Sequence, residues 1–250
     1  TIVVGGIHAT NCSQHIIETM PEVDYVFRGE SECAMTKFVQ NFIDGTPQNI
    51  QGVHGRNTGS DFSSLCEIPQ DLNELPYPDY LLTNYKEYFQ AQKIMRRYNG
   101  SAPDIYEILG SRGCPFKCSF CSSHSSNDRD VRTRSVENIM GEITHMYKEH
   151  GITRYLFNDD LFTIKKERFF SMIEAFEKSN IPDLQFFTQG FHIDTTNEEM
   201  INAVSDMTDA ILFAVDSGSQ YIQDKVIFKK NDLKRGKELI AYASEKGLIV

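Results

Sequence analysis

"IYEILGSRGCPFKCSFC", residues 105–121, runs from a short apolar stretch into three cysteines, Cys114, Cys118 and Cys121, spaced C-x3-C-x2-C. The stretch "IYEIL" predicts a strand, and the cysteines begin five residues after it. Downstream, apolar runs alternate with helical patterns at intervals of roughly thirty residues, as in consecutive βα units. The further predicted strands are "YLF" (155–157), "LQFF" (184–187), "ILFAV" (211–215) and "LIV" (248–250). Val136, Ile139, Met140, Ile143, Met146 and Tyr147 recur at helical spacing, with Ser135 placed to cap that helix and Gly151 to stop it. Phe169, Phe170, Met172, Ile173 and Phe176 repeat the pattern, as do Met200, Ile201, Val204 and Met207 behind a capping Asn197.

Consecutive βα units predict parallel strands, in a closed or incomplete barrel or in a doubly wound sheet. Either way, chemistry belongs at the C-terminal ends of the strands. The cysteines follow the first strand, "NDD" (158–160) the second and "DSGS" (216–219) the fourth, which predicts that three polar groups share one face.

The first fifty residues read as a different unit. "TIVVGG" is a buried strand ending in a Gly pair, "SQHIIETM" a short helix, "VDYVF" (23–27) a second strand, and "CAMTKFVQNFIDG" a helix stopped by Gly45. Residues 56–103 lose periodicity and include "NTGSDFSS" and "ELPYPDY", so they are expected to form a connector on the surface.

Composition narrows the function classes. With 40% hydrophobic and 24% charged residues over 250 positions, the chain can bury a core. Its longest apolar runs fall far short of the roughly twenty residues that span a bilayer, so no membrane segment is expected. The formal charge of −10 gives no general electrostatic reason to bind nucleic acid, although "RDVRTR" is locally basic. The chain opens on Thr1 without a signal pattern and closes inside an apolar run at Val250, so it is expected to be an internal piece of a longer cytoplasmic protein. Without a secretion signal, clustered cysteines read more readily as metal ligands or redox groups than as disulfides.

Thiolates suit zinc, copper(I) and iron–sulfur clusters. A structural zinc site closes with four protein ligands, and here the loop supplies three, with His124 near enough in sequence to be a fourth. Three thiolates on one loop also suit three irons of a four-iron cluster, leaving the fourth iron open to a small molecule, an arrangement associated with catalysis rather than electron transfer. The spacing favours the cluster over zinc and over incidental thiols.

"CPFKCSFC", with Phe120 before its last cysteine, resembles the motif of the radical S-adenosylmethionine enzymes. "SRGCPFKCSFC", "VRTRSVENIMGEI", "NDDLFT" and "VDSGSQ" stand in the order of the branch that carries an N-terminal cobalamin-binding domain. "VVGGIHAT", "VDYVFRGESE" and "DLNELPYPDY" resemble the end of that domain and its connector. The resemblance implies an α/β fold: a partial radical-SAM-type (βα) barrel over residues 104–250, cut short at its C-terminal end. Residues 56–103 would be the connector, and residues 1–55 the C-terminal part of a Rossmann-like (flavodoxin-like) cobalamin-binding domain.

It further implies that Cys114, Cys118 and Cys121 hold a 4Fe-4S cluster and that S-adenosylmethionine binds the open iron. One-electron reduction from a donor such as a flavodoxin or ferredoxin would then give a 5′-deoxyadenosyl radical that attacks a small organic substrate, with cobalamin-dependent methyl transfer, rearrangement or cyclisation to follow. Asp159 and Asp160 are the implied contacts of the methionine amino group. Asp216, Ser217, Gly218 and Ser219 stand where the branch usually reads Glu-Ser-Gly-Ser and are implied contacts of S-adenosylmethionine. Gly5, Gly6, Gly29 and Glu30 are the implied cobalamin contacts. Arg132 and Arg134 match the branch's R-x-R-S stretch, as anion ligands or as structural partners of acidic groups. The third strand ends in "FFTQGFHID", offering Gln189 and His192 where an arginine is often found. No residue is assigned a catalytic role. The alternatives are a cobalamin-independent relative that modifies RNA and a non-catalytic zinc module.

Overall fold

The computed structural model describes all residues except 59–61, 80–81, 84–86, 88–104, 124–128 and 189. Half of the expected connector, together with His124 and Gln189, therefore lies outside the described residues. The chain divides into two compact units, one formed by Thr1–Leu72 with Gly113–Arg132 and the other by Asn73–Arg112 with Thr133–Val250.

In the first unit, β1 (Val3–Val4) leads into helix α1 (Gly6–Thr19), followed by β2 (Tyr25–Phe27), α2 (Glu32–Asp44) and β3 (Val53–Gly55). β1 and β2 are parallel, and β3 adds antiparallel to β2. Helix α1 starts well before the expected "SQHIIETM" and bends at Cys12, where φ is −119°. Helix α2 ends as expected, with Gly45 left-handed at φ 66°. The sheet buries Val26 and Phe27, with Phe38 edge-on to the Phe27 and Tyr25 rings. Cys66 and Leu72, within the aperiodic stretch, are also buried.

The second unit carries the βα series. Its elements are β4 (Tyr106–Ile108), β5 (Ser111–Arg112), the end of β6 (Arg132–Thr133), α3 (Val136–His150), β7 (Arg154–Phe157), α4 (Lys166–Glu177), β8 (Gln185–Thr188), α5 (Glu198–Val204), α6 (Gln220–Lys225) and α7 (Leu233–Glu245). β4, β7 and β8 are neighbours in that order, both pairs parallel and in continuous register. The series continues as single parallel bridges, Phe191 to Phe213 and Ala210 to Ile249. The expected strands at 211–215 and 248–250 are thus reduced to bridges. Val215 accepts from the Ser217 amide at 2.7 Å, and Asp216 turns left-handed at φ 60°, so the extended run ends before a ladder can build.

The crossover helices follow their sequence signals closely. Ser135 accepts from the Asn138 amide at 3.1 Å and Asn197 from the Met200 amide at 2.9 Å, each satisfying a helix-terminal N–H. Gly151 stops α3 left-handed at φ 68°. Ile139, Ile143 and Met146 face inward from α3, and Phe169, Met172, Ile173 and Phe176 from α4. Between helices and strands lies an aromatic core in which the Phe157 ring sits 5.1 Å from Phe162 and 6.2 Å from Phe186. Each such ring removes roughly 150–250 Å² from water.

Candidate functional site

The chain leaves β4 at Ile108 and reaches Gly110, whose backbone is held at both ends. Its N–H donates to Asp159 Oδ1 at 2.6 Å. Its carbonyl accepts from the Arg134 amide at 2.9 Å and from Arg168 Nη2 at 2.8 Å. The next residue, Ser111, donates its hydroxyl to Asp159 Oδ2 at 2.6 Å, and Arg168 Nη1 stands 3.8 Å from that oxygen. A Cβ on Gly110 would meet Arg168 at 2.6 Å, Ile139 at 3.1 Å and Asp159 at 3.2 Å, so a larger residue would have to displace the Arg168 guanidinium. A second close approach occurs at Gly190, where a Cβ would stand 2.6 Å from the Phe162 backbone nitrogen.

The Asp159 side chain has no exposed surface. Burial pushes its carboxyl above the usual carboxylate range, opposed by Arg168, the Ser111 hydroxyl and the Gly110 amide, while burial lowers the Arg168 guanidinium. "NDD" is therefore split: Asp159 turns into the protein and ties two chain segments together, and Asp160 stays exposed. Of the two expected contacts of the methionine amino group, Asp159 has both oxygens engaged inside the fold.

Asp216 is the opposite case. Its side chain is 36% exposed and pairs with Lys229, whose side chain is only 9% exposed. Ser217 accepts the Ser219 amide at 3.2 Å, Ser219 accepts the Ile222 amide at 3.5 Å as the cap of α6, and a Cβ on Gly218 would meet nothing within 4 Å. The loop thus presents an accessible carboxylate beside backbone with open space around it. His192 is buried and accepts at Nδ1 from the Asp194 amide at 3.3 Å. Burial, aided by Lys229 and opposed by Asp194, holds its imidazole below the usual range.

Both arginines of "R-x-R-S" are structural partners. Arg134 reaches Glu142 at 2.6 Å and Asn138 Oδ1 at 2.6 Å, and Glu142 in turn accepts from the Tyr106 hydroxyl at 2.6 Å. In the other unit, Arg132 forms a buried ion pair with both oxygens of Glu30 and donates to the Pro69 carbonyl at 2.6 Å. Glu30, expected as a cobalamin contact, is thus a buried partner of Arg132. Gly5 and Gly6 lie exposed at the end of β1, Gly6 left-handed at φ 88°. Gly29 follows the parallel β2 at φ 82°, its N–H donating to Thr10 Oγ1 at 2.9 Å.

Cys114, Cys118 and Cys121 are half-buried and not joined in disulfides, on a segment without regular structure from Gly113, at φ 97°, to Cys118. Cys121 N–H donates to the Cys118 carbonyl at 3.1 Å, and Ser123 N–H to Cys121 Sγ at 3.4 Å. Among the described residues no three His, Cys, Asp or Glu side chains are gathered closely enough to hold a metal ion. The donor set fits an iron–sulfur cluster in chemistry, as three soft thiols in one irregular segment.

Sequence reasoning missed Lys229, Arg168, Ser111 and the two close-packed glycines. None stands in a periodic or motif-like spacing with its partner, so only a contact across the fold reveals it.

Residues 108–250 match the family model described as the radical SAM superfamily. An uncharacterized methyltransferase of Pyrococcus horikoshii is 27% identical over 88% of this chain and 46% of its own length. The anaerobic magnesium-protoporphyrin IX monomethyl ester cyclase of Cereibacter sphaeroides is 30% identical over 72% of this chain and 29% of its own. The fold is also that of the radical S-adenosylmethionine methyltransferase TsrM from Kitasatospora setae, solved with cobalamin and a [4Fe-4S] cluster bound. The TM-score is 0.74 at 14% identity, over 98% of this chain and 49% of that one. The chain spans about half the length, or less, of these relatives. Among the described residues no helix is long and apolar enough to cross a membrane.

Proposed function

Because the chain belongs to the radical SAM superfamily, we propose that it is part of a cobalamin-binding radical S-adenosylmethionine enzyme of methyltransferase or cyclase type, acting on a small organic molecule. The observation that carries this reading is the C-x3-C-x2-C segment, three half-buried cysteines outside any disulfide in an irregular stretch that follows β4 in sequence, inside a chain that matches the family model. Cys114, Cys118 and Cys121 would hold the 4Fe-4S cluster. When bound, the cluster and S-adenosylmethionine supply reductive cleavage to a 5′-deoxyadenosyl radical, a chemistry that no side chain of the protein provides.

The chain's own residues bind and orient. Asp216 accepts hydrogen bonds from cosubstrate hydroxyls, and Gly218 lets the ligand approach its backbone. Ser217 and Ser219 shape that loop through their mutual hydrogen bond and the α6 cap. Of the "NDD" carboxylates, Asp160 takes the methionine ammonium, since Asp159 is engaged within the fold. Gly5, Gly6 and Gly29 follow two adjacent parallel strands and give cobalamin a close backbone surface. The proposed domains remain residues 1–55, the connector 56–103 and the barrel 104–250. A flavodoxin or ferredoxin of the cytoplasm would be the electron donor.

The test is anaerobic reconstitution of the full-length protein with iron and sulfide, followed by reduction in the presence of S-adenosylmethionine. About four irons per chain, release of 5′-deoxyadenosine and stoichiometric uptake of hydroxocobalamin are expected. Retained cleavage in Cys118→Ala, or stoichiometric zinc without iron or sulfide, would overturn the proposal.

A further inference from the structure

Within the "DSGS" loop, Asp216 adopts φ 60°, a left-handed conformation uncommon for non-glycine residues, though Asp is among those that adopt it most readily. Phe228 at φ 53° and Lys230 at φ 60° are left-handed too, so the backbone on both sides of Lys229 is strained. This second segment is stitched to the first. The Lys230 amide donates to the Gln223 carbonyl at 3.1 Å, and Asn231 Nδ2 donates to the Ala214 carbonyl at 3.0 Å. Gln223 Nε2 donates to the carbonyls of Val215 and Ser217, the latter at 2.8 Å. Gln223 and Asn231 are fully buried. Hydrogen bonds made by wholly buried amides to the backbone of one loop define where that loop sits, because breaking any of them strands a polar group away from water.

The result is an asymmetric ion pair. Lys229 keeps its stem and ammonium inside, at 9% side-chain exposure, while the carboxylate it holds through Oδ2 retains 36%. Here the cation is fixed and the anion is presented. We infer that Lys229 is a positioning residue, whose ammonium sets the direction of the Asp216 carboxylate toward the ribose or methionine end of S-adenosylmethionine. Lys229 acts through Asp216 and does not itself touch the ligand. The inference rests on the reading of Asp216 as a cosubstrate contact.

A binding cycle on the reconstituted full-length protein separates the two. The dissociation constant of S-adenosylmethionine is measured by anaerobic equilibrium dialysis for the parent, Asp216→Asn, Lys229→Met and the double variant, with iron content and far-ultraviolet circular dichroism as controls. Lys229→Met is expected to weaken binding on the order of ten-fold with iron content unchanged, as when a partner orienting a metal-binding group is removed. Asp216→Asn should weaken it at least as much, and the double variant no further, because a positioning residue has nothing left to position. Lys229→Arg should recover most of the affinity. Unchanged affinity in Lys229→Met, or losses that multiply in the double variant, would overturn the role of Lys229 while leaving Asp216 as a contact. Unchanged affinity in Asp216→Asn would remove the underlying reading and the inference together. Should Lys229→Met not fold, Lys229→Gln takes its place, and failure of both to fold would overturn positioning in favour of a purely structural lysine.

Discussion

Asp159 and Asp216 each follow a stretch of parallel backbone, and each meets a cation from further along the chain, yet they are built for opposite ends. Asp159 has no exposed side-chain surface and spends both oxygens on the Gly110 amide, the Ser111 hydroxyl and Arg168. Asp216 keeps a third of its surface and meets one buried ammonium. The first arrangement joins β4's exit to β7's and holds the chain three residues before the cysteine segment begins at Gly113. The second leaves a carboxylate in reach of solvent on a loop held from behind. The difference teaches that a carboxylate at a strand end is not by its place a ligand. What decides is how many internal donors its oxygens have already accepted.

Breaking the buried member should have the largest consequence. Asp159→Ala leaves the Gly110 amide and Ser111 hydroxyl without their acceptor and Arg168 without its counter-ion. A loss of about 3–5 kcal/mol in urea unfolding is expected, the scale for a buried pair that loses one partner. Gly110→Ala challenges the same tie sterically, and displacing an Arg168 held by three acceptors should cost about 1–3 kcal/mol by the same measurement. Asp216→Asn keeps a residue that tolerates the left-handed backbone and should cost about 1 kcal/mol or less, because the pair is partly screened by solvent. If Asp216→Asn destabilised the protein as much as Asp159→Ala, the contrast between tie and presented ligand would fail.

The gentlest probe is pH. His192 is held below the ordinary histidine range by burial, with Lys229 adding to the effect and Asp194 opposing it. Between its folded pKa and the unfolded value of about 6.5, the unfolded chain binds more protons at this site, so stability rises with pH across that window. The contribution is complete above the unfolded value and is lost as pH falls through the folded one. His192→Gln should flatten that slope in thermal unfolding measured from pH 7 downward. Lys229→Met should move the His192 titration upward in an imidazole proton spectrum.

Much of the architecture was legible because it is written at short range. Helix α3 could be read from Ser135, its inward stripe and Gly151, all within one apolar period and its two ends. The same holds for Asn197 before α5 and for Gly45 after α2. Reading was poorer where an extended run depended on its neighbours. Residues 211–215 carry the apolar character of a strand but make a single bridge at Phe213, because the turn at Val215–Ser217 and the left-handed Asp216 cut the ladder short. The site divided likewise: three cysteines declared themselves by spacing, whereas the inward turn of Asp159 and the pairing of Glu30 with Arg132 did not.

By itself, then, the sequence determined the βα order, the helix ends and the family-defining cysteine spacing, since these rest on contacts between residues a few positions apart. Tertiary structure alone decided which carboxylate is buried and which is offered. Asp159 meets Gly110 across 49 positions, Arg132 meets Glu30 across 102, and Lys229 meets Asp216 across 13. Polar contacts at such separations follow no period, because they form only after the core has brought distant backbone together and removed the water that would otherwise satisfy them.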